Sequence, residues 1–253
     1  MYRLLLPFIC CSLVVSFIAC DNDNDEPTET VATENVFVMP VRKVKENISI
    51  AEFEAARDAY VATLEAEFGT LTDREIQPFF DFTYSNLPLD SIYIGLTSFQ
   101  NQEIFSGIGD RTSNTDEANN FFSKFDFLAF EVLQPLDTEE VVDLSTLAPL
   151  ESGQVWEVAI RDISLYDTFD QTDYESKRDA YLAILAQQDG FIREIQWQSI
   201  SDPNVVVGMT IYRDAQAVSD INSNQAFIDA YTATGFIQEY PPNRLGMISN
   251  VLK

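Results

Sequence analysis

Two segments of this chain are near copies of each other, and that repeat constrains the fold more than any other feature. Phe53-Glu-Ala-Ala-Arg-Asp-Ala-Tyr-Val-Ala-Thr-Leu64 aligns without a gap on Tyr174-Glu-Ser-Lys-Arg-Asp-Ala-Tyr-Leu-Ala-Ile-Leu185, with seven of twelve positions identical. Gly69 and Gly190 follow at the same offset of 121 residues. Arg74-Glu75-Ile76-Gln77 then matches Arg193-Glu194-Ile195-Gln196, and Ile94-Gly95-Leu96-Thr97 matches Val207-Gly208-Met209-Thr210. Such self-similarity means one supersecondary unit built twice, each copy about 100 residues long.

The second copy gives the cleaner pattern. Residues 155–164 are β-prone, with Val155, Val158, Ile160 and Ile163 apolar. Asp170 followed by Asp173 predicts a helix start, as Ser49 followed by Glu52 does in the first copy. Tyr174, Tyr181 and Leu185 fall on one helical stripe, matched by Phe53, Tyr60 and Leu64. Gly190 suits a left-handed residue at the helix end. Strands are predicted over 191–200 and 205–212, joined by the turn residues Ser201-Asp202-Pro203-Asn204. Two short helices over 214–221 and 225–232 and a strand over 245–251 complete the order β-α-β-β-α-β, which is ferredoxin-like.

The N-terminus is read separately. Arg3 is followed by an apolar run from Leu4 to Ala19, about the length of a signal peptide core and short for a membrane span. Phe17-Ile18-Ala19-Cys20 resembles a bacterial lipobox, although Phe17 and Ile18 depart from its usual Leu and small residue. That resemblance implies a signal peptide over 1–19 and a lipid on Cys20, which would fix the protein to a bilayer. An ordinary signal peptide or an uncleaved anchor is the competing reading. Residues 20–35 then form an expected tether, with a reach of roughly 20 Å. Its acidic start, Asp21-Asn22-Asp23-Asn24-Asp25-Glu26, resembles the surface-export signal of Bacteroidota lipoproteins. A solvated spacer is the bland alternative. The Asp-x-Asp-x-Asp spacing is not a calcium loop, because Glu26 and Ala32 stand where that loop needs Gly and Glu.

Composition excludes several function classes. The chain holds no His, which removes His-based triads, the usual zinc sites and His-ligated haem. Cys10 and Cys11 leave with the expected signal peptide, so neither a disulfide nor a thiol nucleophile remains. The formal charge is −26, and nucleic acid or an anionic lipid surface is not an expected partner. With 46% hydrophobic residues the chain can still build real cores.

Gly190-Phe191, the stretch Ser201-Asp202-Pro203-Asn204-Val205-Val206-Val207, and Thr210-Ile211-Tyr212-Arg213 before a broken helix resemble the antibiotic-biosynthesis-monooxygenase superfamily of dimeric α/β barrels. The resemblance covers nearly all of 154–253 and, less clearly, 35–137. It implies an α+β fold in which two tandem ferredoxin-like domains, 36–137 and 154–253, close one barrel within a single chain, as an intramolecular pseudo-dimer. Residues 138–153 would link them, and the protein would be a monomer. Haem-degrading relatives rely on a His ligand, which this chain lacks. Asn222-Ser223-Asn224-Gln225 falls where many relatives carry a His at the pocket edge.

Site residues follow from strand parity. In the two Arg-Glu-Ile-Gln segments, Arg and Ile share one face, Glu and Gln the other. If the isoleucines pack under the helices, Glu75, Gln77, Glu194 and Gln196 face the barrel interior and are candidate ligand contacts. A solvated face and polar contacts between the sheets are the competing readings. Trp156 and Trp197 are candidates for stacking on a flat aromatic ligand; filling of the core is the preferred reading. Tyr60 and Tyr181 are expected in the core, Arg57 and Arg178 on the solvent side or across the domain interface. The Gly-, Asn- and Asp-rich segment 106–118 is expected to be a loop unique to the first copy. No catalytic set, metal site or cofactor is expected. The leading functional expectation is an envelope lipoprotein, outer-membrane and surface-exposed, that binds a small apolar or aromatic molecule between the sheets without turning it over. A cofactor-independent monooxygenase acting on a quinol-like or polycyclic substrate, and a structural or protein-interaction module, are the alternatives.

Overall fold

The computed structural model describes residues 36–68, 72–83, 86–137, 140, 142–145, 147 and 153–252. The expected signal peptide, Cys20 and the acidic tether lie outside the described residues, as does Gly69. The first half runs β1 (Val36–Val44), α1 (Ile50–Phe68), β2 (Thr72–Asp81), β3 (Ile92–Phe99), α2 (Gln102–Thr112), α3 (Asp116–Phe122) and β4 (Phe125–Pro135). The second runs β5 (Val155–Asp162), α4 (Gln171–Leu185), β6 (Phe191–Ser199), β7 (Val205–Tyr212), α5 (Ala215–Ser223), α6 (Gln225–Thr234), α7 (Phe236–Glu239) and β8 (Leu245–Val251).

The eight strands close into a barrel in the order β1-β3-β2-β8-β5-β7-β6-β4, antiparallel throughout. Two seams join the halves. One pairs β2 with β8 from Ile76 against Val251 to Asp81 against Met247. The other pairs β4 with β6 over Leu133–Ser199, Gln134–Gln198 and Pro135–Trp197.

Every strand has two faces to cover. Residues at alternate positions, among them Phe37, Met39, Ile94, Trp156, Met209 and Met247, meet inside the barrel. The other face lies beneath helices, with Phe53, Tyr60, Leu64 and Phe121 packing on the first half. Tyr212, Val218, Ile221 and Phe227 do the same on the second. A sheet covered on both sides explains the unbroken apolar run of β7, buried at all eight positions.

The helix starts form as their sequences dictate. Ser49 and Glu52 exchange hydrogen bonds, with Glu52 Oε2 accepting from the Ser49 amide at 3.0 Å and the Glu52 amide donating to Ser49 Oγ at 3.3 Å. Asp170 accepts from the Asp173 amide at 2.8 Å. Gly190 is left-handed, at φ 89°, but it opens β6 rather than ending α4, whose last residue is Leu185.

One expectation fails here. Residues 106–118 are largely helical, in α2 and α3, not a loop. Asn101 caps α2 through Ile104 and Thr115 caps α3 through Ala118. Burial of Ala118 and Phe121 against α1 supplies what propensity lacks. The linker is also more than a connection. Val142, Leu144 and Leu147 are 1–2% exposed and join the barrel core, and Arg74 Nη2 donates to the Leu144 carbonyl at 3.2 Å.

Candidate functional site

Ile76 and Ile195 point into the barrel, so parity turns Glu75, Gln77, Glu194 and Gln196 outward, beneath the helices. That reverses the expected orientation. The interior is apolar, and the isoleucines belong there. The two copies then treat the same glutamate differently.

In the first half Glu75 has no exposure. Arg57 Nη1 lies 3.0 Å from its carboxylate and Arg42 Nη2 3.7 Å. The Arg42 guanidinium also sits 5.4–5.8 Å from the rings of Phe53, Phe121 and Phe125. Arg57 is 6% exposed, not on the solvent side, and its second partner, Asp58, is its chain neighbour. Gln77 donates to the Asp90 carbonyl at 3.0 Å and to the Tyr93 hydroxyl at 3.3 Å.

In the second half Glu194 instead accepts from the Thr210 hydroxyl and the Gln196 amide. A two-residue difference in strand register accounts for the change. Thr97, the counterpart of Thr210, donates to Asp73 at 2.7 Å. Each threonine takes the carboxylate directly opposite it, Asp73 across from Thr97 and Glu194 across from Thr210, so that Gln196 stands opposite Gly208 where Glu75 stands opposite Gly95.

The counterpart of Arg42 is Arg161, opposite Val206 as Arg42 is opposite Tyr93. Its Nε donates to the Tyr240 carbonyl at 2.9 Å, and its guanidinium lies 5.0 Å from the Phe236 ring. Unlike Arg42, it makes no ion pair within 4.0 Å among the described residues. Arg178, the counterpart of Arg57, spends Nε and Nη2 on its chain neighbour Asp179, at 3.1 and 2.8 Å. Its Nη1 is buried without a hydrogen-bond partner.

These groups surround space. A cavity of about 20 Å³ lies between the second-half sheet and helices α4 and α7, lined by Glu157, Arg161, Tyr181, Glu194, Gly208 and Phe236 among others. It shares Leu182, Glu194 and Gln196 with a groove of about 320 Å³. That groove runs along α4 past Leu136, Glu140, Glu175 and Arg178. Burial pushes the Glu194 carboxyl up to about 8, against the opposing hydrogen bonds from Thr210 and Gln196. Burial raises Glu157 as well; it accepts from the Tyr212 hydroxyl at 3.1 Å. The site therefore offers a proton-bearing carboxyl, Glu194, and a guanidinium away from bulk water.

Gly208 makes this possible. A Cβ there would lie 2.9 Å from Glu194 Oε1 and 3.0 Å from Gln196 Nε2. At Gly95 a Cβ would lie 2.2 Å from Arg42 Nη2. The repeated glycine is the signal from which polar groups packed over the sheet could have been inferred. Gly95→Ala is expected to cost about 1–3 kcal/mol by pushing Arg42 out of its ion pair. Gly208→Ala should cost less, because its clashes are with side-chain ends beside open space. Urea unfolding of both variants checks this; equal losses would contradict it.

Of the sequence candidates, Glu194 and Gln196 meet at the cavity. Glu75 and Gln77 lie in the other half. Trp156 and Trp197 are 1% and 0% exposed in the barrel core, with Phe37 and Trp197 ring centres 4.6 Å apart. Sequence reasoning missed Arg161, Glu157 and Thr210; Tyr181 packs against the second-half core as expected and also lines the cavity.

No family model matches the chain, and neither does any curated protein. Solved structures do resemble it. An anthrone oxidase-like protein matches with a TM-score of 0.60 at 9% identity, over 87% of this chain and 92% of its own. A provisionally assigned monooxygenase from Fusobacterium nucleatum matches with a TM-score of 0.54 at 10% identity, over 87% and 94%. A heme-binding protein from Thermus thermophilus matches with a TM-score of 0.50 at 11% identity, over 87% and 92%. At such identities the likeness is one of fold: an α/β protein of the dimeric α/β-barrel type with a closed eight-stranded barrel. The residues around the cavity do not fit a haem. The chain has no His, and Arg161 and Glu194 stand where the cavity is only about 20 Å³.

Proposed function

We propose that this protein binds a small molecule, without turning it over, in the helix–sheet cavity and groove of its second half, and that the first half is structural. The observation that carries this reading is the asymmetry of the repeat. Glu75 is neutralised by two arginines, whereas Glu194 borders open space with Arg161 left unpaired. The expected binding place between the sheets is occupied by the barrel core, so the reading moves to the other face of the sheet. Leu182, Tyr181 and Phe236 give the ligand an apolar surface, and Glu194, Gln196 and Thr210 give it hydrogen bonds.

The remaining parts of the reading rest on sequence pattern and element order. The halves are tandem copies of one ferredoxin-like unit that pair within one chain, and the protein is a monomer. It is held at the cell envelope, facing outward from an outer membrane, by lipid on Cys20. No helix of the described residues is long and apolar enough to cross a membrane.

Native mass spectrometry of the protein extracted from membranes tests these points together. The expected mass is that of one chain cleaved before Cys20, with diacylglycerol attached and a small molecule that denaturation releases. The released mass should be absent from Gly208→Ala, whose added methyl would fill the cavity. A dimer would sink the internal pairing, and an unmodified Cys20 would sink the anchor. Retention of the small molecule in Gly208→Ala would place its binding elsewhere.

A second reading is a cofactor-independent oxygenase, favoured by one observation: once ionised, above about pH 8, the Glu194 carboxylate is a stronger base than an ordinary one and can take a proton from a phenol or enol. Its substrate would donate the electrons to oxygen. Oxygen uptake with added anthrone that Glu194→Gln abolishes would establish it over simple binding.

A further inference from the structure

The unpaired guanidinium of Arg161 states what kind of ligand the cavity takes. Arg161 is 5% exposed. Its Nε is used by the Tyr240 carbonyl, and its Nη groups, which border the cavity, make no hydrogen bond or ion pair with the described residues. A buried guanidinium without a counter-charge is costly, and the first half avoids that cost by pairing Arg42 with Glu75. The Nη1 of Arg178, also buried without a hydrogen bond, borders the adjoining groove. Two forks with spare N–H groups thus line spaces that share Leu182, Glu194 and Gln196.

We propose that the second-half cavity receives the oxyanion end, a carboxylate or enolate, of a small molecule whose apolar body lies in the adjoining groove, the anion being held by Arg161 and Arg178. The proposal rests on the binding function argued above and gives it a chemical class. Planar oxyanions match the guanidinium fork, which donates two parallel hydrogen bonds. The carboxyls that face the same space, Glu157 and Glu194, are both raised by burial, and a protonated Glu194 donates to an anion rather than repelling it. Tyr181 adds a hydroxyl. At the groove, Glu140 is paired with Arg193 and Asp179 with Arg178, while the carboxylate of Glu175 disfavours ligands of higher negative charge.

Calorimetry with three probes of one shape, benzoate, benzamide and benzylamine, tests the class on the full-length protein at mildly acidic pH. Benzoate is expected to bind at least about tenfold more tightly than benzamide, with benzylamine undetected. Arg161→Gln should lose about tenfold or more in benzoate affinity and leave benzamide unchanged, and Arg178→Gln should lose less. Should Arg161→Gln not fold, Arg161→Lys, which keeps the charge without the fork, should still weaken benzoate. Equal binding of benzoate and benzamide would overturn the oxyanion while the pocket survived. Preference for benzylamine, or benzoate binding indifferent to Arg161, would overturn it too. Failure of all three probes to bind would sink both the oxyanion and the pocket.

Discussion

Trp197→Ala is expected to destabilise the protein by about 3–5 kcal/mol and to leave ligand binding in the second-half cavity unchanged. Trp197 has no exposure and packs edge-on against Phe37. It stands on β6 at the seam with β4, opposite Pro135. Removing it opens a cavity where the two halves meet, and the surrounding strands are hydrogen-bonded on both sides and cannot collapse into it. Its indole N–H has no hydrogen-bond partner, so no acceptor is stranded and the loss is one of packing. Urea unfolding gives the stability and calorimetry the binding. A variant of normal stability that no longer bound ligand would return Trp197 to the ligand contacts suggested by sequence.

Glu194→Gln is expected to stabilise the protein above about pH 8 by roughly 2–3 kcal/mol and to make no difference in acid. The Glu194 carboxyl is raised from its ordinary 4.5 to about 8 in the folded protein. A raised group contributes stability that is fully present below 4.5 and is lost as the pH rises through about 8. The full shift corresponds to about 5 kcal/mol, and we discount it because the groove brings water to the carboxyl. Gln keeps the shape and cannot ionise, so the variant should not share the alkaline loss. Glu157 is raised in the same direction and remains in the variant, which leaves some slope. Parallel stability curves for the two proteins across this range would mean that Glu194 titrates as an ordinary surface carboxyl.

Much of the fold was legible. The duplicated helix and strand motifs give the two halves, and the caps Ser49 and Asp170 mark helix starts where they occur. The helices over 106–118 were hidden by Gly, Asn and Asp, because their stability comes from docking on α1 rather than from propensity. The site was half legible. Glu194 and Gln196 stood out through repetition. Arg161 did not, because its lack of an ion pair depends on Gln196 standing opposite Gly208, where the first half has Glu75 opposite Gly95.

The duplication, the order of strands and the absence of His chemistry follow from residue identity and local pattern alone. Alternation along a strand also fixed which residues share a face. Only the tertiary structure decided which face is the interior. Both sides of these strands are buried, one in the barrel and one under helices, so polarity alone could not tell them apart. The same holds for the linker, whose Val142 and Leu144 gain their meaning from the barrel they enter. It holds too for the two glutamates. Their identical motifs diverge because the second is registered two residues further along its partner strand, which sets Glu194 opposite Thr210 and Gln196 opposite Gly208. Local pattern records neighbours along the chain, whereas burial and charge pairing are settled between residues that only folding brings together.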